Sequence, residues 1–484
     1  MEQLYIESEY IRNMLEKYEK LNDINETPKE TDIEETLKIA YNILKINITY
    51  EKFKEFLINI SENYQNIEYT EENIEKYIVL IDYFMLNKQD EIFNFIIEKY
   101  IINENKYYDV LHKYNSIDYY LTKIIGTINN IDNKTFEYII NINDKITELY
   151  SQNITQEILN KCTCIIKLNV NGNTNIVDVN HLQKLKELDA SFICGVDQEG
   201  ISNLKLIEKL NVSSNDEIIN INFLEKLEEL DISGHDCAVS QRGISKLTKI
   251  KILNAMNNDK IIDINHLSNL KNLNASHSCG IHQNGITRLK SIEILNVRLN
   301  DKITNVNHFE KLEELTTGNG IDQIGISNLK SIKILNAFFN NKITNVNHLE
   351  KLEELNTSHG AITQDGISNL KLVKIFHACN NTNITDINHF SNLEELYATN
   401  NSKINQKGIS KLKLVKKLHS YNNKNIVDVN HLQQLEELII FNDSGINQKG
   451  ISELKMVKIL DISGNKNINN VKHLINLIDL RNRK

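Results

Sequence analysis

The sequence predicts an open-ended solenoid of short repeats behind a mainly α-helical N-terminal domain. Its 484 residues exceed the roughly 250 to 300 over which a single core keeps growing. A block of the form apolar-x-x-Leu-x-apolar recurs from Leu168 to Leu480 in steps of about 21 residues, which makes sixteen units. Residues 1–160 lack this block and show helical apolar spacing instead, as in 33–46 and 73–86.

Three regions follow from these patterns. Residues 1–110 are predicted to form a helical domain, 111–163 a helical connector that caps the solenoid, and 164–484 the repeats. The cap is expected in the amphipathic segment 146–159, because the end of a solenoid exposes apolar core unless something covers it. After Leu480 no capping segment follows, so we expect the last strand edge to self-associate or to fray.

Two kinds of unit alternate along the repeats. One contains NHLEKLEEL (347–355) and the other GISNLKSIKILN (325–336). A glycine stands before Ile-Ser or Ile-Thr in every second unit, where a positive φ or a close backbone approach is expected. An asparagine follows the central position by five residues in the alternate units, and it should satisfy backbone groups at the turn that leaves the strand. This column consists of Asn173, Asn215, Asn258, Asn300, Asn340, Asn381, Asn423 and Asn465.

The block and its asparagine resemble the leucine-rich repeat family, whose unit is written L-x-x-L-x-L-x-x-N/C. The resemblance implies an α/β fold in which about sixteen coils each add one short strand to a curved parallel sheet, with the leucines inside. In the intervening units the turn is filled differently, by Cys194, Cys237, Cys279, Asn319, Gly360, Ser402 and Ser444.

Part of the N-terminal region resembles the BTB/POZ fold, which also occurs in adaptor subunits of cullin ubiquitin ligases. The likeness rests on SEYIRNMLE (8–16), FKEFLINI (53–60) and the helical pair in 69–100. It implies that a cullin could be a partner. The first strand and the dimer-forming opening of that family are missing, and a plain helical capping domain is the alternative.

Composition excludes several classes of partner. With 55 basic and 65 acidic residues the net charge is −10, which argues against nucleic acid. No stretch approaches the roughly 20 apolar residues of a membrane span, and the first residues match no targeting signal. Six cysteines suit a reducing compartment, so we expect a cytoplasmic protein. One proline, no tryptophan and many Ile, Asn and Lys residues are typical of AT-rich genomes, as in large DNA viruses and some protists; a viral protein would act in the host cytoplasm.

No catalytic residue, metal ligand or cofactor site is predicted. The histidines at 181, 266, 308, 348, 389, 431 and 473 recur in every second coil, roughly 10 Å apart, so they cannot share a zinc ion. The cysteines of the turns have the same spacing. Glutamate pairs such as Glu353 and Glu354 recur in register, as on a solvated face.

A protein-binding surface is the remaining candidate. Positions one and three after the central leucine should project from the concave face. They are small and polar in the first coils, as at Asn169 and Ser191, and become aromatic or cationic later. The predicted partner-binding residues are Arg298, Phe338, His377, Tyr397, His419, Tyr421 and Phe441. The alternative is that the aromatic rings only stack across neighbouring strands.

Two functions fit this sequence. The chain is either a protein-interaction scaffold, in its sharper form a substrate adaptor for ubiquitin ligation, or an effector whose activity lies in the helical domain and is targeted by the repeats.

Overall fold

The computed structural model describes residues 147–150 and 154–482. The chain divides into two compact units, Met1–Lys167 and Leu168–Lys484. The predicted helical domain, the BTB/POZ-like segments and most of the connector therefore lie outside the described residues. Within the part described, no helix is long and apolar enough to cross a membrane.

The described end of the first unit differs from the predicted helical cap. It contains a strand, β1 (Glu148–Tyr150), and one helical turn, α1 (Gln156–Leu159). The backbone carbonyl of Thr147 accepts hydrogen bonds from the amides of Ile166 and Lys167, at 2.6 and 2.9 Å. The amphipathic pattern was therefore wrong as a predictor of continuous helix, because strand-type backbone pairing overrides local propensity here.

The second unit is a parallel β-solenoid with one three-residue strand in each coil. The strands are β2 (Lys167–Asn169), β3 (Glu187–Asp189), β4 (Lys209–Asn211), β5 (Glu229–Asp231), β6 (Ile252–Asn254), β7 (Asn272–Asn274), β8 (Ile294–Asn296), β9 (Glu314–Thr316), β10 (Ile334–Asn336), β11 (Glu354–Asn356), β12 (Ile375–His377), β13 (Glu395–Tyr397), β14 (Lys417–His419), β15 (Glu437–Ile439), β16 (Ile459–Asp461) and β17 (Asp479–Arg481).

Each strand pairs in parallel with the next one along the chain, and the central leucines share one register. Leu188 faces Leu210, Leu335 faces Leu355, and Leu460 faces Leu480. The central residues from Leu168 to Leu460 are at most 3% exposed, whereas the residues on either side of them are mostly partly exposed. This alternation is the period of two expected of a strand with one buried face.

Short helical turns interrupt alternate coils at the repeated glycine. These turns are α2 (Gln241–Ile244), α3 (Gln406–Ile409) and the 3-10 turns Gln283–Gly285, Ile324–Ile326, Asp365–Ile367 and Lys449–Ile451. The glycines serve close approach, not positive φ. A Cβ built on Gly325 would lie 2.2 Å from the carbonyl oxygen of Thr304 in the preceding coil.

Candidate functional site

The structure places the eight asparagines of the turn column in the core, each at most 6% exposed. Asn340 shows the arrangement. Its Nδ2 donates to the carbonyl oxygens of Gly318 and Ile321, at 2.9 and 3.0 Å, and its Oδ1 accepts from the amides of Lys342 and Ile343. Asn300 bonds in the same way to the carbonyls of Ala275 and Ile281. The column therefore joins neighbouring coils and has a structural role.

The sequence did not predict two further columns of side-chain amides that hydrogen-bond neighbouring coils to each other. Gln323 donates through Nε2 to the carbonyl of Asn345 and accepts at Oε1 from the amides of Thr344 and Asn345. Asn347 donates to the carbonyl of Asp365 and accepts from the amide of Asn369. Equivalent bonds recur along the array, for example at Gln364, Gln406, Asn388 and Asn430. These side chains are occupied in holding coils together.

The histidine column is also structural. In six coils Nε2 lies 2.9 to 3.1 Å from the carbonyl oxygen of the isoleucine after the repeated glycine, as in His348 and Ile326. Burial lowers the pKa of His308, and its bond to the Ile286 carbonyl opposes that effect. No group of three or more metal-ligating side chains that could hold a metal ion occurs among the described residues.

The cysteines that fill the intervening turns are buried free thiols. Cys237 and Cys279 are fully buried, and burial raises the pKa of each to about 11. Because the thiolate is the reactive form, a raised pKa makes these cysteines poor nucleophiles at neutral pH.

The glutamate pairs divide between two surfaces. The first member of each pair forms a salt bridge with a lysine of the next coil, as between Glu313 and Lys333 at 2.7 Å and between Glu353 and Lys374 at 2.6 Å. Such exposed pairs contribute little stability individually. The second member, such as Glu354, opens a strand and lies on the outer side of the sheet.

We call this outer side the strand face. It consists of positions 1, 3 and 5 of each coil, counted from the residue before the central leucine, so that β11 contributes Glu354, Asn356 and Ser358. Along β2 to β5 the face is polar and carries hydrogen bonds between its own side chains. The Nδ2 atoms of Asn169 and Asn211 both donate to Oδ2 of Asp189, at 3.4 and 3.1 Å.

Further along, three predicted partner-binding residues form a row at position 3 of β12, β13 and β14. The rings of His377 and Tyr397 stack with centroids 4.2 Å apart and planes 8° apart, and Tyr397 meets His419 edge-on at 4.7 Å. All three remain partly exposed. Ile439 continues the row on β15 and is 8% exposed.

The same part of the face carries two more predicted residues at position 5. Tyr421 and Phe441 stack with centroids 4.2 Å apart and planes 13° apart, and both are partly exposed. We call His377, Tyr397, His419, Tyr421 and Phe441 the aromatic row. Its rings stack on each other and still present surface to solvent, so stacking and binding are compatible.

Arg298 and Phe338 lie in a separate cluster at the ends of β8 to β11. Gly318 stands between them on β9, and the Arg298 guanidinium carbon lies 5.1 Å from the Phe338 ring centroid. The cluster also includes Phe339 and His359, whose rings stack at 4.4 Å. Both occupy position 6 with positive φ, 59° and 55°. The sequence signal that would have revealed them is an aromatic side chain at a turn position that asparagine fills in several other coils, as at Asn380, Asn400, Asn422 and Asn442.

Charged groups fix the rings of the row. The Tyr397 hydroxyl donates to Glu395 at 2.8 Å, and His419 Nε2 lies 2.7 Å from Glu437. Burial, followed by the hydrogen bond to Glu395, raises the pKa of Tyr397. Burial would raise the pKa of Glu395, but hydrogen bonds from Lys417 and Tyr397 lower it overall. Burial lowers the pKa of His377, so its ring favours the neutral form.

One parallel strand per coil, a buried central leucine and a buried asparagine in alternate coils define a leucine-rich repeat solenoid. Among solved structures, an internalin of Listeria monocytogenes is 21% identical over 68% of this chain and 88% of its own, with a TM-score of 0.37. A leucine-rich repeat protein of Leptospira interrogans is 18% identical, with coverages of 75% and 92% and a TM-score of 0.37. The mouse RP105/MD-1 complex matches at 16% identity, with coverages of 72% and 76% and a TM-score of 0.43. No protein-family model matches the sequence, and neither does a curated protein. At these identities the likeness concerns the fold alone.

Proposed function

We propose that this chain is a protein-interaction scaffold whose strand face binds a protein partner through the aromatic row. The observation that carries the proposal is the change of character along one face. Position 3 is asparagine or aspartate from β2 to β8, and becomes His377, Tyr397 and His419 from β12 to β14. The central residues beneath, Phe376, Leu396 and Leu418, stay fully or nearly fully buried, so packing of the coil does not demand the change.

The row has the properties of binding anchors. Aromatic side chains on a rigid surface supply large contact area at little entropic cost, and truncation of an anchor typically costs about 2 kcal/mol or more. The polar residues that recur elsewhere in the coils are bonded between coils, as Asn340, Gln323 and His348 illustrate. Position 3 of the strand face departs from this pattern from β12 to β14, where it carries aromatic rings that remain partly exposed.

The test is a double substitution, Tyr397→Ala with Tyr421→Ala. Affinity capture with the wild-type chain from its native cell identifies the partner, and titration then measures Kd. We expect the variant to bind at least about tenfold more weakly, with little change in Tm, because both rings are partly exposed.

The matched control is Asn211→Ala with Ser233→Ala, which alters positions 3 and 5 on β4 and β5 in the polar part of the same face. It should leave Kd unchanged. If the tyrosine variant kept its affinity but lost several degrees of Tm, the row would be a stacking ladder and the proposal would fail.

We do not extend the proposal to a ubiquitin-ligase adaptor that recruits a cullin. The segments behind that idea, within 8–100, lie outside the described residues, as does the helical domain to which the effector alternative assigns an activity. A cytoplasmic location is part of the proposal, and cell fractionation tests it.

A further inference from the structure

The first position of the strand face changes its charge pattern along the array. From β2 to β5 it alternates between lysine and glutamate, and Lys209 on β4 lies 3.1 Å from Glu229 on β5. From β9 to β13 glutamate continues on every second strand, but the residues between are Ile334 and Ile375. The strand position that lysine fills between glutamates in the earlier coils is therefore apolar on β10 and β12, although Glu395 still pairs on its other side with Lys417 at 2.9 Å.

Two of these carboxylates have no counter-ion of their own. Neither Glu314 nor Glu354 has a side-chain hydrogen bond or salt bridge within the described coils. Lys333 acts on Glu314 through space, but its Nζ lies 2.7 Å from Glu313. Burial, followed by the negative charges of Glu395 and Glu314, raises the pKa of Glu354. The uncompensated charge is an electrostatic cost that a cationic ligand would relieve.

The spacing of these groups fits a planar cation. Strands two apart in a sheet are separated by roughly 9.5 Å, so successive glutamates leave a gap that one guanidinium can span while bonding to a carboxylate on each side. Ile334 and Ile375 form the floor of the two gaps. An apolar floor suits a guanidinium, which is more weakly hydrated than an ammonium group.

We propose that the protein partner docks an extended, arginine-rich segment along β9 to β13. One arginine lies between Glu314 and Glu354 over Ile334, and another lies between Glu354 and Glu395 over Ile375. Cationic side chains with apolar stems complement this face in charge and in its apolar floor. The inference rests on the proposed function, because the aromatic row begins beside the second gap, at His377 and Tyr397.

The two gaps also indicate how the arginines are spaced. A polyproline II segment advances about 9.3 Å in three residues and returns to the same face, which matches the separation of the gaps. An extended β-strand repeats its face about every 6.7 Å and would place its second arginine about 3 Å short of the second gap. Arginine at every third residue is therefore the favoured pattern.

A labelled peptide with arginine at every third position, separated by prolines, is the probe. Its affinity is measured by fluorescence anisotropy for the full chain, for Glu314→Gln with Glu354→Gln, and for Glu313→Gln with Glu353→Gln. The two variants remove the same number of negative charges from adjacent positions. Unlike the first pair, however, Glu313 and Glu353 form salt bridges, with Lys333 and Lys374. We expect the first variant to bind about tenfold more weakly or worse, since charge-assisted hydrogen bonds are lost, and the second to bind within about twofold of wild type.

A stability measurement separates binding from folding. Because the folded protein disfavours ionised Glu354, its replacement by glutamine should leave Tm unchanged or slightly higher at neutral pH. Equal weakening by the two variants would mean diffuse attraction and would overturn the inference, as would absence of peptide binding to wild type. Failure of this inference can be distinguished from failure of the proposed function. If the Glu314/Glu354 variant captured the partner normally and the Tyr397/Tyr421 variant did not, the scaffold function would stand and the arginine-rich segment would be ruled out.

Discussion

At the residue scale, asparagine serves four different purposes within three neighbouring coils. Asn340 is buried and bonds to carbonyls of the preceding coil, while Asn347 bridges to the next coil from the opposite turn. Asn356 accepts a bond from the amide of Ser358 on the strand face, and Asn380 takes a positive φ of 53°. A short amide that both donates and accepts, and that tolerates left-handed backbone, suits all four places.

The buried role gives the first residue-scale prediction. Asn340→Ala leaves the carbonyls of Gly318 and Ile321 and the amides of Lys342 and Ile343 without their partner. We expect a loss of about 1 to 3 kcal/mol in the free energy of unfolding, measured by urea denaturation. The adjacent Asn341 is exposed, so Asn341→Ala is a matched control that should change stability little. Equal stability of the two variants would show that another group satisfies the turn.

Single residues also show where the sequence is informative and where it is not. The central leucines and the asparagine column repeat at fixed spacing, so their shared environment could be predicted. Phe339 and His359 could not be placed from spacing alone, because position 6 leaves the strand in a left-handed turn and the alternation of faces ends there. The salt bridge between Glu353 and Lys374 could not be predicted, because it depends on the register of neighbouring coils, which the sequence does not contain.

At the scale of the coil, the structure of the repeated unit explains why some coils depart from the common sequence pattern. The turn after the strand holds asparagine in one kind of coil and, in several coils of the other kind, cysteine or serine; Asn340, Cys237 and Ser444 are all buried. The prediction of a continuous helix in 146–159 was wrong because periodic apolar residues fit a helix or a strand pair equally well over so short a segment. Only tertiary pairing of Thr147 with the amides of Ile166 and Lys167 decides between the two.

The last described coil carries a departure of its own. Ile475 and Ile478 are 83% and 82% exposed, where the matching residues of another coil, Glu350 and Glu353, are charged. Leu480 is 45% exposed, and among the described strands only β16 pairs with β17. Large apolar side chains exposed close together in one coil favour association.

Self-association through this coil is one of the two outcomes expected from the sequence, the other being fraying, and it stays a prediction. Changing Ile475 and Ile478 to glutamate restores the charge pattern of the other coil and should lower the apparent mass measured by light scattering. Tm should change little, because the two side chains are largely in solvent. A wild-type protein that is strictly monomeric at high concentration would contradict this expectation. Gln433→Glu, at the exposed position that matches Ile475 two strands earlier, is the control and should leave the apparent mass unchanged.

At the scale of the whole array, each coil contacts its neighbours and little else, so stability is close to a sum of local interfaces. The backbone ladder illustrates this. Val306 donates to the carbonyl of Gly325 in the next coil, and Val429 donates in the same way to Gly450. The sequence could predict this architecture from its period. It could not predict the partner, because the fold does not determine which side chains the strand face presents to solvent.

Because stability is close to a sum of local interfaces, the same steric clash should have different effects at two positions along the array. This is the final prediction. Gly325→Ala would bring a Cβ to 2.2 Å from the Thr304 carbonyl oxygen, and Gly450→Ala to 2.1 Å from that of Val427. Each should cost about 1 to 3 kcal/mol locally, since the backbone must shift. In the middle of the array the clash weakens the coupling between the two halves, so thermal unfolding should broaden or split. Near the last described strand it should only increase fraying.

Hydrogen exchange distinguishes the two cases. Gly325→Ala should speed exchange at Val306 and in the coils on both sides, whereas Gly450→Ala should speed it at Val429 and beyond while Val306 stays protected. Identical loss of protection along all coils in both variants would show that the array unfolds as one cooperative unit.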